Sequence, residues 1–125
     1  MPQLQFEVTH QTVNRVDTFK PVAGSKGYLS AHFEFLTDEW NNTVTAIFTK
    51  GDISYEVLLD ANNNCLVPWE VITEGGDIFV SCFCDDLITT TNSRIYIAET
   101  GYLRRGNGEQ SGTDTEYIQP DNETV

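Results

Sequence analysis

The chain has 125 residues, three cysteines and a formal net charge of −12, which is long enough for one domain with a core that needs no metal or disulfide as a staple. Such a charge argues against non-specific binding to DNA, RNA or anionic membrane, because neutralising phosphates requires clustered Lys and Arg, and the one adjacent basic pair is Arg104-Arg105. No apolar run approaches the roughly 18 residues of a membrane span.

The opening MPQLQFEVTH lacks the basic and apolar regions of a signal peptide, so synthesis in a cytoplasm without export is expected. Within it, Leu4, Phe6 and Val8 alternate with Gln3, Gln5 and Glu7, which predicts a first strand. Gln11 to Asp17 reads as a short second strand, with one helical turn as the alternative. Lys20-Pro21 and Gly24-Ser25-Lys26-Gly27 then predict a loop, in which Gly24 and Gly27 could take positive φ at little cost.

From Tyr28 to Asp60 three alternating runs are separated by two polar turns, the pattern of an antiparallel meander. Leu29, Ala31, Phe33 and Phe35 share one face of the first run; Val44, Ala46 and Phe48 one face of the second; Ile53, Tyr55, Val57 and Leu59 one face of the third. The first turn holds Asp38, Glu39 and Trp40, and Lys50-Gly51-Asp52 suits a tight hairpin.

Past the Ala61 to Asn64 turn, Cys65-Leu66-Val67 is extended, and Trp69 to Ile72 reads as one helical turn opened by Pro68. Asp77 to Cys84 is a dense strand, with Ile78, Val80, Cys82 and Cys84 on one face and Phe79 and Phe83 on the other. Arg94 to Ala98 supplies a last strand. Seven or eight short strands close most naturally as a two-sheet β-sandwich, with a barrel as alternative. The domain is expected to span 1–102. Residues 103–125, rich in Gly, Ser, Thr and acids, read as a flexible polar tail that either solvates a terminus or orders against a neighbouring chain through Tyr117 and Ile118.

Residues for chemistry are sparse. His10 and His32 are the two histidines, and His32 falls on a polar strand face where solvation is the ordinary role. Cys82-x-Cys84 lies on an apolar strand face, where packing is commoner than zinc. The acid pairs Asp38-Glu39 and Asp85-Asp86 lack calcium-loop spacing. No catalytic residue, metal or cofactor is therefore expected. Trp40 and Trp69 either close the ends of the core or stand exposed as anchors for a protein or a glycan.

In order along the chain stand Tyr28-Leu29, Phe33-x-Phe35, Asp38-x-Trp40, Thr45-Ala46-Ile47-Phe48, Leu59-Asp60, Cys65-x-Val67-Pro68-x-Glu70-Val71, Phe79-Val80-Ser81, Ile88-Thr89-Thr90 and Thr100-Gly101-Tyr102. This order resembles small N-terminal β-sandwich modules of phage and prophage structural proteins of Gram-positive bacteria, of the upper baseplate type. One departure is Cys84-Asp85-Asp86, where the family pattern has a glycine-containing turn. The resemblance implies an all-β, antiparallel Ig-like β-sandwich that docks onto other virion proteins without catalysis. It would be made in the host cytoplasm and then carried in the tail or baseplate of the virion. The expected partners are other phage structural proteins or further copies in a homo-oligomer, with contacts sought at Asp38, Glu39, Trp40, Trp69, Tyr117 and Ile118. A carbohydrate-binding module and an accessory protein that binds a host protein or small molecule are the alternatives.

Overall fold

The computed structural model describes residues 2–85 and 87–102. Among these residues nine strands and a single 3-10 turn, Trp69–Ile72, make up the regular structure. The strands are β1 (Gln3–Thr9), β2 (Thr12–Arg15), β3 (Ser30–Phe35), β4 (Val44–Lys50), β5 (Ile53–Leu58), β6 (Asn64–Leu66), β7 (Gly76–Cys84), β8 (Ile88–Thr89) and β9 (Ser93–Ile97). They form two sheets, a four-stranded one in the order β2-β1-β3-β6 and a five-stranded one. In the latter β5, β4 and β7 are neighbours, while β8 and β9 both pair with β7.

Alternation correctly placed most strands, but not their partners. The expected meander is overturned at its first turn, because β3 does not pair with β4. It runs parallel to β1, with Phe6 beside Phe33, and antiparallel to β6. Residues 36–43 carry the chain from one sheet to the other, and this connection tucks Trp40 into the core. The second turn is the hairpin expected, Lys50 facing Ile53 across Gly51-Asp52, with Gly51 at φ +63. That left-handed conformation is one glycine adopts without a Cβ penalty.

The inner faces meet in one core. Leu4, Phe6, Val8 and Phe33 from the four-stranded sheet oppose Ala46, Phe48, Ile78, Val80, Ile95 and Ile97, and all are buried. Fully burying a side chain of this size contributes about 1.5–3 kcal/mol. A run of stacked rings, Phe6 on Phe33 at 5.0 Å, Phe33 on Phe35 at 6.4 Å and Phe35 on Trp40 at 5.3 Å, extends this core to one end of the molecule. Both lateral edges are laced: Thr91 N–H donates to Gln11 O on one side, and Asp60 N–H donates to Asn64 O on the other.

After β7, Asp85 takes φ +52, a conformation that Asp tolerates better than most residues. Pro68 sits immediately before the 3-10 turn, where its missing N–H leaves no bond unmade. Gly24 and Gly27 both adopt positive φ, the conformation open to them in this loop. Residues 103–125, with the expected tail and its Tyr117 and Ile118 candidates, lie outside the described residues.

Candidate interaction surfaces

The corner around Trp40 is assembled by two turns that interlock. His10, at φ +51 in the β1–β2 hairpin, donates its backbone N–H to Thr37 Oγ1 at 2.9 Å and accepts the Trp40 indole N–H on its carbonyl at 2.9 Å. Its imidazole Nδ1 lies 2.8 Å from Glu39 Oε2. Thr37, and then His10, hydrogen-bond the Glu39 carboxylate and hold its pKa down, from 4.5 to about 2. Trp40 itself is 7% exposed. Its ring packs against Phe35 and faces the core, so an exposed-aromatic role at Trp40 gives way to a structural one. Burial follows because the long sheet-to-sheet connection must cap the open end of the aromatic stack.

Trp69 has the opposite setting. The 3-10 turn buries Val71 and Ile72 and leaves Trp69 40% exposed, with Lys26 Nζ 4.0 Å from the centroid of its ring. The loop bearing Lys26 is pinned at its start by Asp17, whose carboxylate accepts from the backbone N–H of Gln5 at 2.7 Å and of Phe19 at 2.8 Å. Arg15 completes this anchor, at 2.8 Å from Asp17 and donating also to the Phe19 carbonyl. Burial opposes ionisation of Asp17, but the Arg15 and backbone hydrogen bonds outweigh it, and its pKa falls below 3.8. Beside Trp69 lie two adjoining grooves of about 320 and 370 Å³ that share Ser25 and Ile72. Phe19, Val22 and Tyr28 are exposed around them. Sequence reasoning singled out Trp69 but missed these neighbours; the signal available was a stretch from Thr18 to Leu29 with two lysines and no acid in a strongly acidic chain.

The third surface is the outer face of the five-stranded sheet. Register places Leu58, Thr45 and Phe83 in one row, Ile47 and Ser81 in the next, then Thr49 and Phe79. Tyr96 opposite Asp77 extends it onto β9. Phe79, Phe83 and Ile47 are half-buried, whereas Leu58 and Tyr96 are 66% and 62% exposed. Charges stand at the rim, Glu56 on β5 and the Arg94–Asp77 pair at 3.7 Å. A further open groove of about 550 Å³ is polar, lined by Asn41, Asn42, Asp60 and Asn63 among others.

Cysteine and histidine chemistry has little footing. Burial pushes the Cys65 and Cys82 thiols up to about 12 each, far from the thiolate a nucleophile or zinc ligand needs. Cys82 and Cys84 both point into the core. His32 Nδ1 bonds Asn64 Oδ1 at 2.7 Å. Among the described residues no group of three His, Cys, Asp or Glu side chains is placed to hold a metal ion. Of the expected contact residues, Asp38, Glu39 and Trp40 come together in one corner, and Trp69 stands in another. No family model, no curated protein and no solved structure matches the chain.

Proposed function

We propose that this chain is a non-enzymatic assembly module that works by protein-protein contact, associating with further copies of itself through the outer face of its five-stranded sheet. The observation that carries the reading is that face. In a chain of net charge −12, its centre is built from Phe79, Phe83, Ile47, Ser81 and two threonines, with charge kept to the rim. Like-charged copies repel, so association needs apolar area that is free of that charge. The proposed setting is a phage tail or baseplate particle, on the strength of the sequence resemblance. The finer fold reading, an Ig-like sandwich, is supported by the chain changing sheet after β3, β5 and β6. Sedimentation of the full chain up to millimolar concentration tests the reading: concentration-dependent association is expected, and a strict monomer contradicts it, while absence from purified virions contradicts the proposed setting.

A second reading, glycan binding, is favoured by the exposed Trp69 ring beside a groove. Lys26 already occupies a face of that ring, and the lining of the polar groove near Asn41 includes no aromatic residue. The two features that a sugar site combines are thus in different places, which ranks this reading second. Glycan-array binding abolished by Trp69→Ala would promote it.

A further inference from the structure

We infer that the paired grooves beside Trp69 are the docking site for this chain's own segment 114–121, Asp-Thr-Glu-Tyr-Ile-Gln-Pro-Asp, with Tyr117 and Ile118 as the apolar anchors. This goes beyond the sheet-face reading and can stand or fall without it. Three observations converge.

The first is the chemistry of the site. Exposed Phe19, Val22, Tyr28 and Trp69 surround the two grooves, and among the described residues the charged ones lining them are Lys20 and Lys26. An occupant that suits this lining is apolar at its centre and acidic at its flanks. Few stretches of a protein meet both conditions, and segment 114–121 does: Tyr117-Ile118 is preceded by Asp114 and Glu116 and followed by Asp121. An acidic side chain beside Lys26 would also keep that ammonium seated over the Trp69 ring.

The second is where the described chain ends. Ala98 hydrogen-bonds to Pro21 and Ala23 in the loop that forms the site, and a side chain at Gly24 would meet Thr100 at 4.0 Å. The last described residues therefore run beside the loop that lines the grooves. Tyr117 follows Tyr102 by 15 residues, which at about 3.3 Å per residue gives a reach of up to ~50 Å. That exceeds the width of a domain of this size, so the segment reaches the grooves of its own domain or of an adjacent copy.

The third is tethering. A segment joined to its site by a short linker has an effective concentration on the order of millimolar, so even a contact of ~0.1 mM affinity is mostly occupied. The same peptide free in solution fills such a site only when added well above ~0.1 mM.

Trp69 is its own reporter, because Trp40 is buried and acrylamide quenching of the chain reads mainly the ring in the groove. The experiment compares the full-length chain with its Tyr117→Ser/Ile118→Ser variant, using unchanged circular dichroism to show that both are folded. Quenching about twofold stronger in the variant is expected, as an exposed ring loses its cover, and high salt should raise quenching in the parent chain but not in the variant. Adding a synthetic peptide of residues 112–123 to the variant should lower quenching again. Dilution then separates docking in the same chain, which is insensitive to concentration, from docking between copies, which is not; either outcome supports the site. Equal quenching in parent and variant overturns it, whatever the peptide does. Sedimentation reads the sheet face and this quenching reads the groove, so failure of one is distinguishable from failure of the other.

Discussion

The two tryptophans of this chain both lie outside the strands yet have opposite fates. Trp40 spans a connection between sheets, and every group near it is bound to another: indole to the His10 carbonyl, His10 N–H to Thr37, imidazole to Glu39, ring to Phe35. Trp69 follows a proline at the start of a short turn whose next apolar residues, Val71 and Ile72, already fill the core, leaving its ring at the surface under Lys26. Flanking composition points the wrong way, since the buried Trp40 stands among Asp38, Glu39, Asn41 and Asn42 and the exposed Trp69 among Val67, Val71 and Ile72; the demand of the core decides. A loop that must cover the end of an aromatic stack buries its ring, and one whose neighbours have met that demand is free to present it.

Substitution at the two rings is the strongest way to break this contrast. Trp40→Ala should lower unfolding free energy by about 3–5 kcal/mol, the range for large buried aromatics, while Trp69→Ala should stay within about 0.5–1 kcal/mol, as surface substitutions do. Denaturant midpoints measure both, and equal losses would erase the distinction. Next in size is Asp17→Asn, which weakens the anchor of the Trp69-side loop and should cost about 1–3 kcal/mol. The folded pKa of Asp17 lies below 3.8, so its contribution is complete above that value and is lost as pH falls through the depressed folded pKa. Stability curves of parent and variant should therefore converge in strong acid.

Smaller effects sharpen the comparison from each side. Lys26→Ala removes the cation over Trp69 and should cost no more than about 0.5–1 kcal/mol, with a measurable shift in Trp69 emission and none in that of Trp40. At the other corner, Glu39 has its pKa lowered from 4.5 to about 2. Its contribution is present above pH 4.5 and disappears as pH falls towards 2. A Glu39→Gln chain should show a shallower acid dependence over that window; because the carboxylate is solvent-screened, the change is small and is best read by following the Trp40 corner by NMR.

Much of the fold was legible from the pattern of apolar residues, which located β1, β3, β4, β5, β7 and β9 and gave the inward faces of β1, β3 and β4, although Ile53, expected on the apolar face of β5, is exposed. Sheet membership was not, because alternation says which side of a strand is apolar and nothing about its neighbour. Phe33 and Phe48 read alike, yet they belong to opposite sheets. The hint was length: the β4–β5 hairpin closes over two residues, while residues 36–43 are too long for such a turn and include a tryptophan. The parallel pairing of β1 with β3 joins residues far apart in sequence and leaves no local trace. At the surfaces, Trp69 and the second face of β7 were visible in the sequence. The groove was not, since Phe19, Lys20, Tyr28 and Trp69 come together only when Asp17 and the Ala98 contacts fold the loop back onto the 3-10 turn.

The central claim, that the chain assembles through the outer face of its five-stranded sheet, is tested most directly by sedimentation of the Leu58→Glu/Tyr96→Glu chain beside the parent. Both side chains are largely exposed, so the variant should fold with an unchanged melting temperature. The parent is expected to associate with rising concentration and the variant to remain a monomer. Equal association of the two chains, or a parent that stays monomeric throughout, would contradict the claim.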